Sequence, residues 1–333
     1  MVMLDLIHTD LAGTPLWAWG LFAALVLGLL TLDLFIVNRT PHTIGKREAL
    51  LWTAIWVSLA AAFGVAVYFW KSPNKALEFA TAYLVEYSLS IDNIFLFILI
   101  FSYFKIQRQF RHRVLFWGVL GALIMRAIFI GAGVALIQSM HWMLYVFGGF
   151  LIVMGIKQIV MSDHDEDPSK SLIAVYARKY LPITEKTECE SFFKRIDGKF
   201  YFTALFLVLL VVEFTDVIFA VDSIPACMSV TQDPFILYTS NIFAIMGLRS
   251  LYFLLSGFLR GLRFLKPALA FILLLIGVKL ILKEANIYDF PTALSLGLIA
   301  YALTIAITLS LKYPLKDKPK VEAVDKKKEK PSS

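Results

Sequence analysis

The chain has 333 residues, 59% of them hydrophobic, with 28 Phe, a formal net charge of +7 and a mean hydropathy of +0.73. That much apolar side chain exceeds what a water-soluble domain carries, so the pair of soluble domains that length alone would allow is excluded in favour of an all-α, polytopic membrane protein. The basic residues are scattered over five separate segments rather than gathered on one fold, which argues against a nucleic-acid partner.

Runs long enough to cross about 30 Å of hydrocarbon fall at 15–37, 49–70, 76–104, 114–137, 142–161, 201–224, 235–259, 265–282 and 291–311. Nine transmembrane helices are expected. Residues 1–14 contain Asp5 and Asp10 but no Lys or Arg, so a cleavable signal peptide is not expected and the first helix should stay in the mature protein. Divided over alternate loops, one set holds 25 basic residues and the other only Lys71, Lys75 and Lys283. Cytoplasmic loops collect Lys and Arg, so the N-terminus is expected in the periplasm or outside, and the C-terminus and the 162–199 loop in the cytoplasm, of a bacterial inner membrane. Cys189 and Cys227 then lie at opposite sides, with no disulfide between them and Cys227 accessible from outside.

Two stretches inside the apolar runs carry acids. VEYSLSIDN, residues 85–93, holds Glu86, Asp92 and Asn93, and VEFTDVIFAVDSIP, residues 212–225, holds Glu213, Asp216, Asp222 and Ser223. A carboxylate at the centre of a bilayer costs at least about 2.5–3.5 kcal/mol on insertion scales, so these acids must face the protein interior and bind something. In both stretches an acid is followed, after five intervening residues, by Asp and then by a small polar residue. Each is followed by an apolar helix with one arginine, Arg126 or Arg249, and by a third that ends in GIK at Lys157 or GVK at Lys279. The spacing from Arg to Lys is 31 residues in one half and 30 in the other. Three helices is an odd number, so the second copy must run inverted through the membrane, an arrangement that puts substrate sites at the repeat interface near the midplane.

The resulting plan is two peripheral helices in 1–75, a first repeat in 76–161, a cytoplasmic loop in 162–199, an inverted second repeat in 200–283, a last helix in 284–312 and a disordered basic tail in 313–333. Positions six apart on a continuous helix differ by 240°, so Glu86 and Asp92 would not share a face, nor would Asp216 and Asp222. A bend or break is therefore expected, above all near Pro225, which has no N–H and frees the carbonyl of Val221 as a further oxygen ligand.

The two stretches resemble the signatures of the TerC family of membrane proteins, and the chain from about Thr9 to Lys312 resembles its nine-helix Alx-type branch. The resemblance implies export of manganese(II) from the cytoplasm, with Glu86, Asp92, Asn93, Glu213, Asp216, Asp222 and Ser223 as the metal site. The residues themselves point to a hard divalent cation, since oxygen donors suit Mg²⁺, Ca²⁺ and Mn²⁺ alike and the five His fall in loops or at helix ends. Among these the resemblance alone implies Mn²⁺ as the cargo, with protons as the candidate counter-ion and the bilayer as the other partner. Neither an enzyme activity nor an organic cofactor is expected, and the chain has no Walker motif for ATP. Plainer readings stand beside these. Glu86 and Glu213 could be ion-pair partners of Arg126 and Arg249, which are expected to be structural clamps. Lys157 and Lys279 could snorkel to the interface. Asp33 could be a surface residue, and the acidic run 163–167 a solvated loop. The alternative function is a membrane scaffold that assists assembly or insertion of other proteins, or a transporter of Ca²⁺ or Mg²⁺.

Overall fold

The computed structural model describes residues 10–11, 13–32, 45–104, 106–140, 142–160, 191–196, 199–255, 264–288 and 290–313. Asp33, the 163–167 run, Cys189 and the 314–333 part of the tail lie outside the described residues, and so do the side chains of Asp92 and Asp222. The described residues hold nine helices: α1 Leu16–Leu32, α2 Lys46–Trp70, α3 Pro73–Tyr103, α4 Arg108–Ser139, α5 Met143–Val160, α6 Ala204–Met228, α7 Pro234–Leu255, α8 Leu265–Glu284 and α9 Thr292–Lys312. Two short antiparallel hairpins join them, β1 Asp10–Leu11 with β2 Thr14–Pro15, and β3 Phe193–Ile196 with β4 Lys199–Phe202.

Local chemistry sets the helix starts. Ser72 caps α3 by accepting the Lys75 N–H, with Pro73 in the first turn where no donor is needed. Thr203 caps α6 in the same way through the Phe206 N–H, and Asp233 accepts from the Phe235 and Ile236 N–H groups at the start of α7. Past the end of α8 the chain turns through Asn286, whose φ of 54° is the left-handed conformation common after helix ends.

Seven of the described helices are long and apolar enough to cross a membrane: α2, α3, α4, α5, α6, α8 and α9. The chain is therefore a mostly α-helical, multi-pass membrane protein. Its outward surface fits that solvent, with Leu21, Phe69, Ile128 and Val160 among many large apolar side chains left exposed. The described part of α1 is shorter, and α7 lacks the required apolarity because it carries Thr239, Ser240, Asn241 and Arg249. Yet α7 has the longest run of buried residues in the fold, nearly continuous from Phe235 to Tyr252. Its polar side chains face other helices, so they need not be soluble in lipid.

The helices of the two acid-bearing halves pack reciprocally. The first helix of one half meets the second of the other, α3 on α7 and α4 on α6, while α5 and α8 form the most extensive contact of the molecule. At that seam Gly148, Gly155 and Gly277 let the backbones touch, and a Cβ on Gly277 would lie 2.8 Å from the Gly148 carbonyl oxygen. Helix α2 covers α3 and α7 on one flank, and α9 covers α3 and α8 on another. Lys71 in the α2–α3 turn bonds Asp233 in the α6–α7 turn at 2.7 Å and Thr14 at 2.8 Å, which ties three segments at one end of the bundle. At the other end the Phe264 N–H donates to the Ser310 hydroxyl, and Arg111 donates to the Tyr252 hydroxyl.

Three expectations need correction. No helix breaks at the acidic stretches. Helix α3 runs uninterrupted through 85–93, and α6 continues through Pro225 to Met228. Pro225 sits within the last turn, where its missing N–H deprives the Val221 carbonyl of its donor without ending the helix. Cys227 is not accessible: it is fully buried, with its Sγ 3.6 Å from Glu86 Oε2 and 3.7 Å from the Ala82 carbonyl oxygen. Lys279 does not snorkel, since it is buried and its Nζ donates to the Ser295 hydroxyl of α9 at 3.1 Å, whereas Lys157 in α5 has no such cover and is exposed.

Candidate ion-binding centre

The centre of the bundle is organised around Arg126. Its side chain is 1% exposed and forms an ion pair of 2.7 Å with Glu86 of α3. From α4 it also donates to the Ser223 hydroxyl of α6 at 2.7 Å and to the Asn241 side-chain oxygen of α7 at 2.6 Å. The Asn241 amide is held in register by its own donation to the Leu237 carbonyl. Glu86 in turn accepts from the Cys227 thiol. One cation thus joins four helices from both halves of the chain. In a low-dielectric interior a buried charge needs an opposite charge and further acceptors, which Glu86, Ser223 and Asn241 supply to the two terminal nitrogens, while the Nε–H is without a partner among the described residues.

A second group of polar residues lies beside it, between α4 and α6. Glu213 and Asp216 are one turn apart and share a side of α6. Gly118 and Gly121, equally spaced on α4, lie against this side of α6. The Glu213 carboxylate lies directly against Gly121, where a Cβ would collide with it, and Val212 packs on Gly118. Asp216 lines a water-sized cavity together with Gly118, Phe97, Val212, Leu248 and Arg249. It lies within the electrostatic reach of both Arg126 and Glu86, and Glu213 within that of Asp216. Glu213 and Asp216 therefore face glycine and a small void, while Glu86 faces arginine.

The structure distributes the sequence-derived residues unevenly. Glu86 and Ser223 meet around Arg126, with their oxygens directed at a guanidinium. Glu213 and Asp216 face α4, and Arg249 lines the cavity beside Asp216. Asn93 is buried. Val221 is 47% exposed on the outer surface of α6. Asp92 and Asp222 have their backbones within α3 and α6. Among the described residues, no three His, Cys, Asp or Glu side chains converge closely enough to enclose a metal ion. The sequence alone did not single out Asn241, Gly118 or Gly121, and it placed Cys227 at an accessible end rather than beside Glu86. The signals were present as an Asn in the apolar run SNIFAIMG and as the GVLG spacing before Arg126, but neither pattern means anything until the opposing helix is known.

Comparison with known proteins agrees with this architecture. The family described as "Integral membrane protein TerC family" matches residues 71–318. The chain is 44% identical over 293 residues to the "Uncharacterized membrane protein STKORF319" of Myxococcus xanthus, covering 88% of this chain and 91% of that one. It is 42% identical over 307 residues to the Salmonella typhi protein named "Putative membrane-bound redox modulator Alx", covering 90% and 94% of the two chains. The Escherichia coli K12 protein of the same name is 40% identical over 307 residues. No solved structure matches the chain. A match over most of the membrane region and relatives of this identity along nearly their whole length show that the chain belongs to the TerC family of integral membrane proteins.

Proposed function

We propose that this protein is a secondary transporter that exports manganese(II) from the cytoplasm, using carboxylates of α3 and α6 near the membrane midplane. The observation that carries the reading is the pair Glu213 and Asp216, one turn apart on α6, set against glycines of α4 and beside a cavity. Five acids of α3 and α6, Glu86, Asp92, Glu213, Asp216 and Asp222, stand against Arg126 of α4 and Arg249 of α7, and Glu86 is already paired with Arg126. A divalent cation accounts for two of the three surplus carboxylates and finds there the hard oxygen donors it prefers. Asp92, Asn93 and Asp222 would join Glu213 and Asp216 when an ion is held, and the choice of Mn²⁺ over Ca²⁺ or Mg²⁺ rests on the family resemblance.

The reciprocal packing of the two halves supports an inverted repeat, because a two-fold axis in the membrane plane pairs first helix with second helix twice over. The basic-residue count supports an N-terminus outside a bacterial inner membrane and a C-terminus inside. Vacated carboxylates would take up protons, which makes proton exchange the natural coupling. The scaffold reading keeps one specific support, the Arg126 clamp across four helices.

Purified protein in liposomes, loaded with a Mn²⁺-sensitive dye, tests the proposal. Wild type should carry Mn²⁺ with a dependence on the proton gradient. Glu213→Gln, Asp216→Asn, Asp92→Asn and Asp222→Asn should each lower the rate by at least about tenfold at normal insertion, since each removes a charged oxygen donor. Wild-type rates in all four variants would sink the carboxylate site, and no Mn²⁺ flux from wild type would favour the scaffold.

A further inference from the structure

The β3–β4 hairpin is absorbed by neither the ion site nor the bundle packing. It ends at Thr203, the cap of α6, whose hydroxyl donates to the Ser191 carbonyl while its N–H donates to the Phe192 carbonyl. The hairpin is thereby fixed to the first turn of a spanning helix, which places it at the level where hydrocarbon gives way to headgroups. Its register pairs Phe193 with Phe202 and Arg195 with Phe200, so these four residues share one face. Phe193, Phe202 and Phe206 of α6 form a mutually packed ring cluster with centroids 4.7–5.4 Å apart. Beyond it Phe193 is 53% exposed and Phe200 70% exposed, and the Arg195 guanidinium lies 5.4 Å over the Phe200 ring. Lys194 is exposed on the opposite face.

Large exposed aromatic rings beside cations at the end of a spanning helix have one solvent that suits both. Rings settle at the glycerol level of a bilayer, and cations reach the phosphates above it. We infer that the β3–β4 hairpin is an interfacial foot that lies in the membrane surface and binds anionic phospholipid headgroups through Lys194 and Arg195, with Phe193 and Phe200 as its apolar anchors. Anionic lipid is favoured over neutral lipid because the hairpin adds positive charge at a negatively charged surface. The foot is continuous, through Thr203, with the helix that bears Glu213 and Asp216. The inference does not depend on which ion, if any, crosses the membrane.

A nitroxide at Phe200→Cys in a Cys189→Ser background, in the full chain reconstituted into vesicles, tests the idea, with Lys194→Cys as the comparison site. Vesicles are pure phosphatidylcholine or phosphatidylcholine with added phosphatidylglycerol. The label at 200 should be relaxed by a lipid-soluble agent and shielded from an aqueous nickel chelate, while the label at 194 should show the reverse. Lipids brominated on phosphatidylglycerol should quench a fluorophore at 200 more than the same bromination on phosphatidylcholine. Each of Lys194→Gln and Arg195→Gln should reduce that preference by about fivefold, following the attraction of single basic residues to anionic surfaces. A label at 200 open to the nickel chelate, or shielded from both agents as a protein-covered surface would be, overturns the foot. An unchanged phosphatidylglycerol preference after both Gln substitutions overturns the headgroup assignment.

Discussion

Replacing Arg126 with Met keeps an unbranched apolar stem and removes the guanidinium with its charge and all its donors. Glu86, 1% exposed, is then left as a buried carboxylate with the Cys227 thiol as its remaining described partner. Breaking a buried pair by removing one member typically costs about 3–5 kcal/mol. Ser223 and Asn241 also lose a charged donor, but a helical hydroxyl can turn to its own i−4 carbonyl and Asn241 already bonds Leu237, so their added cost is small. At a few degrees per kcal/mol the melting temperature in detergent should fall by on the order of 10 °C. The double variant Glu86→Gln and Arg126→Met removes the stranded charge. It should regain at least about 2 kcal/mol relative to Arg126→Met alone, the coupling expected of neighbours in one network. Thermal unfolding followed by tryptophan fluorescence, with wild type and both single variants alongside, gives the cycle. If the double variant melts no higher than Arg126→Met, or if Arg126→Met melts with wild type, the charge pair is not what holds the four helices together.

Gly121→Ala should place a methyl group where the Glu213 carboxylate now lies, so transport should drop severalfold at near-normal abundance. Gly131→Ala on the same helix meets no atom within 4 Å and serves as the neutral control. Gly277→Ala has no flexible neighbour to displace, only the Gly148 carbonyl, Ile152 Cγ1 and the Ile152 backbone nitrogen. It should cost about 1–3 kcal/mol by overpacking and lower the yield of monodisperse protein. Cys227 should resist a small maleimide in the folded protein and react fully after denaturation, as counted by mass spectrometry, and rapid native labelling would mean that α3 and α6 separate at that point. Lys279→Met should be tolerated better than Lys279→Ala, because the buried stem packs between α8 and α9 while the charge must be satisfied there, and a melting comparison reads the difference.

Hydrophobic runs of membrane-spanning length are a one-dimensional property, so the helices, their approximate limits and the family were legible from the sequence. The two acid-bearing stretches announced themselves for the same reason, since a charge in lipid is costly whatever surrounds it. Helix continuity was misread because the acids six residues apart were assumed to serve one site. In the bundle α6 has neighbours on several sides, and an unbroken helix can present Asp216 to α4 while Ser223 meets Arg126. The partner of Glu86 could be named as an alternative but not chosen from the sequence, because pairing depends on which helices cross. Only packing decided that Asn241 completes the arginine clamp, that Gly121 makes room for Glu213, and that α9 shelters Lys279 while Lys157 stays exposed. Composition determines which residues must avoid lipid, and the crossing of helices determines what they meet when they do.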